Sequence, residues 1–247
     1  MKFNVKTSFA IAAATLTSVL SVSAAQAFPT FNLRAERPDL FNEFNSRVNQ
    51  ERLKIEDESA GMLELDPETL RWTGGADSVD VAFINEGAGY RNKLFFSANS
   101  NPSQMIFNDI ASPESILPES NGPLSLGDGV KLGTFAGETS LDFTIQNPHG
   151  HMFGAKSNPD GLQHLIAYEY FDEEYEENWV LLGFEDLWGV HYSEGGHSDR
   201  DFNDVVIAVR GMTGDAMVQV PEPTSTAAIF GLAALGMTGL RRGKKSS

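Results

Sequence analysis

The sequence predicts a mainly β protein: a jelly-roll-like antiparallel β-sandwich, with a short helix near its N-terminus and a hydrophobic helix at its C-terminus. After Met62, short runs of Val, Ile, Phe, Leu and Tyr alternate with clusters of Gly, Asn, Asp and Pro. This alternation is typical of antiparallel sheets with tight turns. No glycine-rich phosphate loop follows a predicted strand, and no regular strand–helix alternation indicates a parallel sheet.

Residues 1–27 have the three parts of a secretory signal peptide. Lys2 and Lys6 precede an apolar run over about residues 9–22, and AQA at 25–27 is the small-x-small pattern that a signal peptidase accepts. The run is short for a membrane anchor, and the cleavage pattern is complete. We therefore predict cleavage after this pattern and export across the inner membrane.

The segment over residues 28–60 is predicted to contain the N-terminal helix. Phe41, Phe44 and Val48 lie at positions i, i+3 and i+7, the spacing of one helix face. We predict a helix from about residue 39 to residue 52.

The β-rich domain is placed at residues 61–212, with a linker at 213–220. Strands 79–85 and 93–98 are expected to form a hairpin, because GAG at 87–89 lets the backbone turn. Residues 101–129 form either one long loop or short edge strands, since they are rich in Pro, Ser, Asn and Gly. The seven predicted strands cover residues 79–85, 93–98, 133–135, 141–146, 165–170, 179–186 and 205–210.

The strand at 165–170 follows a strong turn signal, NPDG at 158–161. Ile166, Tyr168 and Tyr170 form its consistently apolar or aromatic face, which we expect to turn toward the core. The acidic run at 172–177 is expected to be a solvated hairpin loop.

Composition excludes several classes of function. Residues 28–220 carry 33 of the 34 acidic residues but only 12 of the 18 basic ones, a net charge of −21. Such a charge repels nucleic acid and anionic lipid. It suits solubility outside the cell, the binding of divalent cations, or a polyanionic matrix bridged by such cations. The chain has no cysteine, which excludes disulfides, cysteine nucleophiles and thiolate zinc sites.

Oxygen-bearing side chains crowd the facing ends of the last two predicted strands. Glu185 and Asp186 end one strand, and an antiparallel partner would begin beside them. Carboxylates at such short distances repel one another unless a cation or protons neutralise them. The residues before the partner strand are Asp199, Asp201, Asn203 and Asp204.

Calcium is the cofactor that these six residues predict, because it takes roughly six to eight oxygen ligands. The Asp-x-Asp-x-Asn spacing is similar to the first half of an EF-hand loop. It departs from that loop because Asp204 stands at the sixth position, where glycine is required, and Arg210 replaces glutamate at the twelfth. The alternative is that these side chains only cap their turn by accepting hydrogen bonds from local N–H groups.

Other site chemistries have less support. His149 and His151 could hold zinc with a third imidazole from His164, His191 or His197, but no His-Glu-x-x-His pattern is present. No Gly-x-Ser-x-Gly elbow indicates a serine hydrolase.

Six aromatic residues could stack on sugars if they were exposed. We expect at least four of them to fill the core instead. The six are Trp72, Tyr168, Tyr170, Trp179, Trp188 and Tyr192.

The C-terminal residues have a tripartite pattern. Pro221, Glu222 and Pro223 come first, and an apolar run rich in Gly, Ala and Leu follows at 227–240. Fourteen residues are few beside the roughly 20 that span a bilayer, so taken alone this is a marginal membrane helix. The basic tail consists of Arg241, Arg242, Lys244 and Lys245.

This pattern, at residues 221–247, resembles the PEP-CTERM sorting signal of Gram-negative bacteria. The resemblance implies exosortase as a partner, a membrane protease that recognises the Pro-Glu-Pro motif and removes the tail during export. It also implies transient anchoring in the inner membrane through residues 224–240, and an association with exopolysaccharide and biofilm matrix.

Four pieces of the β-rich region resemble the domain of unknown function 4114, over about residues 75–211. The resemblance supports the domain boundaries and the acidic site, and it implies no defined activity. The pieces are NEGAGYRN at 85–92, NPDG at 158–161, GFEDL at 183–187 and DRDFND at 199–204.

These observations predict a non-enzymatic protein of the cell surface or extracellular matrix, with a structural calcium site and an association with extracellular polysaccharide. The alternative is a secreted carbohydrate-active or metal-dependent hydrolase, which requires two carboxylates at a fixed separation in a cleft. A third hypothesis is an adhesion or scaffold module without calcium.

Overall fold

The computed structural model describes residues 27–50, 52–59, 61–74, 76–117, 121–156 and 158–217. The predicted sorting motif and the apolar run at 227–240 lie outside these residues, as does the predicted signal peptide up to residue 26. No helix within the described ranges is long and apolar enough to cross a membrane.

Strands and turns dominate the described part of the chain, and every strand pair in it is antiparallel. The prediction of a mainly β, antiparallel protein is thus confirmed, while the jelly-roll-like order of strands stays a prediction. The strands are β1 (Thr30–Asn32), β2 (Leu63–Leu65), β3 (Arg71–Trp72), β4 (Val79–Asn85), β5 (Lys93–Ala98), β6 (Gln104–Phe107), β7 (Asp128–Gly133), β8 (Thr139–Gln146), β9 (Met152–Gly154), β10 (Leu165–Asp172), β11 (Glu177–Phe184), β12 (Val205–Arg210) and β13 (Met212–Thr213).

The strands form two sheets. The seven-stranded sheet has the order β1-β7-β4-β12-β11-β10-β2, and the six-stranded sheet has the order β13-β3-β8-β5-β6, with β9 paired to β8. Buried side chains of both sheets and of the N-terminal helices belong to one hydrophobic cluster. The helices are α1 (Leu33–Glu36), α2 (Pro38–Asn45) and α3 (Ile55–Glu58).

The helix predicted at residues 39–52 is correct only in its first half, because α2 ends at Asn45. Beyond it, the N–H groups of Arg47 and Val48 donate to carbonyls three residues back, so the last turn tightens and the helix ends. Phe41, Phe44 and Val48 are buried, as their spacing predicts.

Three predicted strands match β4, β5 and β12, and two others lie within β8 and β10. The strand predicted at 133–135 is wrong, because β7 ends at Gly133, whose φ of 90° turns the chain away. The strand predicted at 179–186 runs two residues too far. The Asp186 N–H donates to Asp204 Oδ2 at 2.7 Å instead of joining the ladder.

The predicted hairpin of strands 79–85 and 93–98 is also wrong. β4 pairs with β7 and β12, whereas β5 pairs with β6 and β8 in the other sheet. The connection between them carries the chain from one sheet to the other. Gly87 holds this connection in place, since its N–H donates to the Asn203 carbonyl at 2.9 Å.

β10 is buried on both faces over its first four residues, so the expectation that only the Ile166 face turns to the core is wrong. Gly183 leaves room for Ile55 of α3 beside Ile166, which places the N-terminal helices over that face. Glu169 lies on the other face of β10, and its Oε1 accepts a hydrogen bond from the Thr213 hydroxyl of the six-stranded sheet at 3.0 Å.

The hairpin predicted around residues 172–177 is confirmed, with Asp172 of β10 opposite Glu177 of β11. Arg37 forms ion pairs with both carboxylates.

The segment at 101–129 contains a short edge strand, β6. Four of the six aromatic residues belong to the core or pack against it, as predicted: Trp72, Tyr168, Tyr170 and Trp179.

Candidate metal centre

The acidic cluster lies where β11 ends and β12 begins. Phe184 is opposite Val205 in the register, so the residues that follow one strand lie beside those that precede the other. We use the name acidic cluster for the six residues of the predicted calcium site. Asp199 is half-buried, and the other five are buried: Glu185, Asp186, Asp201, Asn203 and Asp204.

Three members of the cluster converge on one point. Glu185, Asp199 and Asp201 each offer a carboxylate oxygen, and these oxygens lie within 4.8 Å of one another. Two oxygens on opposite sides of a calcium ion are about 5 Å apart, because each Ca–O distance is about 2.5 Å. One calcium ion could therefore accept all three carboxylates.

Glu185 has an orphaned oxygen. The side chain is fully buried, and Oε1 accepts from the Leu187 N–H at 3.2 Å. Oε2 is buried without a hydrogen-bond partner. Such an oxygen is costly to leave unpaired, typically by about 1–3 kcal/mol, and it suits a cation.

Three carboxyls of the cluster hold their protons more tightly than isolated carboxyls do. Burial raises the pKa of Glu185 to about 7, and the negative charges of Asp199 and Asp186 act in the same direction. Burial likewise raises the pKa of Asp186 to about 6 and that of Asp204 well above its ordinary value. A bound cation would favour the ionised forms and release these protons.

The remaining three members are bonded to the protein. Asp186 Oδ2 accepts from Asn92 Nδ2 at 2.6 Å, and Asp204 accepts from the Asp186 N–H. Asn203 Nδ2 donates to the Leu53 carbonyl at 3.2 Å, which ties the cluster to the N-terminal segment. The local bond that the capping alternative requires is made by Asp201, whose Oδ1 accepts from the Asn203 N–H at 3.2 Å.

The loop backbone is strained on both sides of Asp201. Arg200 and Phe202 have φ angles of 55° and 58°, in the left-handed region that side-chain-bearing residues rarely adopt. Each such residue costs on the order of 1 kcal/mol and is typical of sites where function fixes the backbone.

His164 contacts the backbone of the acidic cluster. It is fully buried; Nδ1 lies 2.9 Å from the Glu185 carbonyl oxygen, and Nε2 lies 3.0 Å from both oxygens of Asp160. Burial alone would raise the pKa of Asp160, but hydrogen bonds from Gly189, Leu162 and His164 outweigh it and lower that pKa. Both ring nitrogens thus face hydrogen-bond acceptors, the Glu185 carbonyl on one side and the Asp160 carboxylate on the other.

Sequence reasoning missed these supporting residues. Asn92 and Asp160 stand within the pieces NEGAGYRN and NPDG, but nothing in the pieces shows where their side chains point. Asn147, whose Nδ2 donates to the Asp186 carbonyl at 3.1 Å, and His164 carry no local signal.

The histidines do not assemble a zinc site among the residues that the structure describes. The candidate three-ligand group found there contains only carboxylates. The rings of His149 and His151 have centroids 6.4 Å apart, and His164 is committed to Asp160 and Glu185.

Replacing Gly87 with alanine is expected to lower the free energy of unfolding by about 1–3 kcal/mol. A Cβ at Gly87 would lie 2.2 Å from Oδ1 of Asn203 and 3.3 Å from its carbonyl oxygen. Gly89→Ala is the matched control, because a Cβ there meets no atom within 4 Å. Urea unfolding of the two variants measures the difference, and equal stabilities would contradict the close packing of Gly87 on Asn203.

Two family models match parts of the chain. The family model described as "Domain of unknown function (DUF4114)" matches residues 135–212, and the model described as "PEP-CTERM protein-sorting motif" matches residues 219–244. The chain carries both. A search of curated proteins finds no match.

The DUF4114 match contains the whole acidic cluster and three of the four pieces that resemble the family. The fourth, NEGAGYRN at 85–92, precedes the matched residues. The predicted resemblance to both families is confirmed. The PEP-CTERM motif marks the protein as an exosortase substrate that is exported across the inner membrane to the cell surface or the extracellular space.

Proposed function

We propose that this DUF4114 protein is a non-enzymatic component of the cell surface or extracellular matrix, that its acidic cluster binds one Ca²⁺ ion, and that it associates with extracellular polysaccharide. The calcium proposal rests on the convergence of Glu185, Asp199 and Asp201 around an orphaned, buried carboxylate oxygen. The sorting motif supports the extracellular setting, where calcium-binding modules work with dissociation constants of about 0.1–1 mM.

The proposed ion would act as a structural link. Glu185 follows β11, while Asp199 and Asp201 belong to the loop that leads into β12. An ion held by all three would fix that loop to the end of β11 and offset the mutual repulsion of the carboxylates. Main-chain carbonyls and water would complete a coordination shell of roughly six to eight oxygens.

Calcium is expected to raise the melting temperature of the full-length protein. For a dissociation constant of about 0.1 mM, 10 mM Ca²⁺ stabilises the folded state by about 2.7 kcal/mol. This corresponds to about 5–10 °C for a domain of this size. Mg²⁺ is expected to shift the melt less, because it requires octahedral geometry at about 2.0–2.1 Å. The measurement compares melts in chelator, Ca²⁺ and Mg²⁺.

Glu185→Gln removes the central carboxylate with little change of shape and is expected to abolish the calcium shift. Glu174→Gln is the matched control, since Glu174 is exposed in the hairpin between β10 and β11. A wild-type melt that is the same in chelator and in Ca²⁺ would show that the cluster only caps its turn.

A hydrolase is the second candidate, and the buried Glu185 carboxyl with a pKa of about 7 is the observation that favours it. Against it, the carboxylates of the cluster are largely buried. Of four cavities of about 440 to 620 Å³ along the described chain, none is lined by a cluster member. Polysaccharide cleavage by the wild type that is lost in Glu185→Gln or Asp186→Asn, with the fold intact, would support the hydrolase.

A further inference from the structure

A row of four rings lies beside the acidic cluster. Tyr90, His149, His151 and Trp188 follow one another with ring centroids 5.3, 6.4 and 4.9 Å apart. We call these four residues the ring row. Trp188 is 45% exposed and His149 is exposed, whereas Tyr90 and His151 are half-buried.

The ring row packs against the hydrophobic core. The ring of His151 lies 6.1 Å from that of Phe153, which is fully buried and stacks on His164 at 4.1 Å. At the other end of the row, the Tyr90 hydroxyl lies 3.3 Å from His149 Nε2. Rings that are held in place lose little conformational freedom when a ligand binds, which favours affinity.

One asparagine joins the ring row to the acidic cluster. Asn147 Oδ1 accepts from the N–H groups of His149 and His151, both at 3.1 Å. Its Nδ2 donates to the Asp186 carbonyl, and Trp188 follows Asp186 by two residues. The positions of the row and of the cluster therefore depend on each other.

The chemistry of the row defines the ligand class. Each ring combines an apolar face with a polar edge: a phenol hydroxyl, an imidazole nitrogen or an indole N–H. Sugar rings offer the complement, with C–H faces and a rim of hydroxyls. A polyanion, including nucleic acid, is disfavoured by the net charge of −16.

We propose that the ring row is a docking surface for a neutral polysaccharide, with sugar rings stacked on Trp188 and His151. This inference rests on the proposed association with extracellular polysaccharide and names the surface that carries it. The exposed Trp188 supplies the largest face, and its neighbours supply hydrogen-bonding edges along the chain of sugars.

Affinity electrophoresis of the full-length protein tests the proposal. The gels contain hydroxyethyl cellulose, dextran or galactomannan as neutral polymers, alginate as a polyanion, or polyproline as a peptide that also docks on aromatic side chains. At least one neutral polymer is expected to retard the wild type. Trp188→Ala is expected to weaken that binding about tenfold, which corresponds to about 1.4 kcal/mol. His151→Ala is expected to weaken it in the same direction.

Phe171→Ala is the matched control. Phe171 is 53% exposed and lies on β10 at the end opposite the acidic cluster, so its loss is expected to leave retardation unchanged. Equal retardation of Trp188→Ala and wild type, or no retardation by any neutral polymer, would overturn the proposal. Retardation by alginate or polyproline alone would assign the surface to another ligand and overturn it as well.

The outcomes for the ring row and for the metal centre are separable. If Ca²⁺ leaves the melting temperature unchanged while Trp188→Ala loses retardation, the ring row stands and the calcium proposal fails. If Ca²⁺ shifts the melt while Trp188→Ala is retarded like the wild type, the calcium proposal stands and the ring row fails.

Discussion

Replacing His164 with phenylalanine is expected to lower the free energy of unfolding by about 1–3 kcal/mol, the usual cost of leaving a buried hydrogen-bond acceptor without its partner. Phenylalanine can keep the stacking on Phe153 at this fully buried position, so the loss reports on polar contacts rather than on a cavity. Without the imidazole, Asp160 and the Glu185 carbonyl each lose a hydrogen-bond partner. Urea unfolding with an unchanged m-value measures the effect.

The control for this change is His197→Phe, because His197 is exposed in the loop that precedes the acidic cluster. Surface substitutions of this kind usually change stability by no more than about 0.5 kcal/mol. Similar losses in the two variants would mean that the buried imidazole does not stabilise this part of the protein. A large loss confined to His164→Phe would establish it as a support of the Glu185 backbone.

In chelator, the protein is expected to lose stability as the pH rises from about 4 to about 7. A carboxyl whose pKa is raised on folding stabilises the folded state below its unfolded pKa, and this stabilisation is lost as the pH rises through the folded pKa. For Glu185 the folded pKa is about 7 against an ordinary 4.5, and for Asp186 it is about 6 against 3.8. Because these carboxyls titrate together, the loss belongs to the group, and it is on the order of 3 kcal/mol at 1.36 kcal/mol per pKa unit.

Asp160 acts in the opposite direction and outside this window. Its pKa is lowered on folding, so its contribution is complete above its ordinary pKa of 3.8 and is lost only as the pH falls through the folded value.

Bound Ca²⁺ is expected to reduce the loss of stability between pH 4 and pH 7, because the ion binds the deprotonated carboxylates. The gap between melts with and without Ca²⁺ should therefore widen as the pH rises.

Urea unfolding at pH 5, 6, 7 and 8, in chelator and in Ca²⁺, measures both effects. Glu185→Gln is expected to reduce the pH dependence in chelator without abolishing it, since Asp186 also has a raised pKa, whereas Glu174→Gln, on the exposed hairpin, should keep the wild-type slope. Stability in chelator that does not fall across this range would show that the cluster does not hold its protons through burial.

The sequence determined the features that depend on near neighbours along the chain. The limits of β4, β5 and β12 follow from local alternation and turn residues. The spacing of Phe41, Phe44 and Val48 identified the buried face of α2. The six residues of the acidic cluster were identified from two short local patterns, and the sorting motif from the resemblance of its tripartite pattern to the PEP-CTERM signal.

Only the tertiary structure decided which segments meet. It placed β4 and β5 in different sheets and covered β10 on both faces, because strand pairing and burial depend on contacts between residues far apart in sequence. For the same reason it alone divided the acidic cluster. Glu185, Asp199 and Asp201 converge, while Asp186 is held by Asn92 from 94 residues away. A local pattern marks where oxygen ligands occur, but contacts between distant segments decide which of them converge on one point.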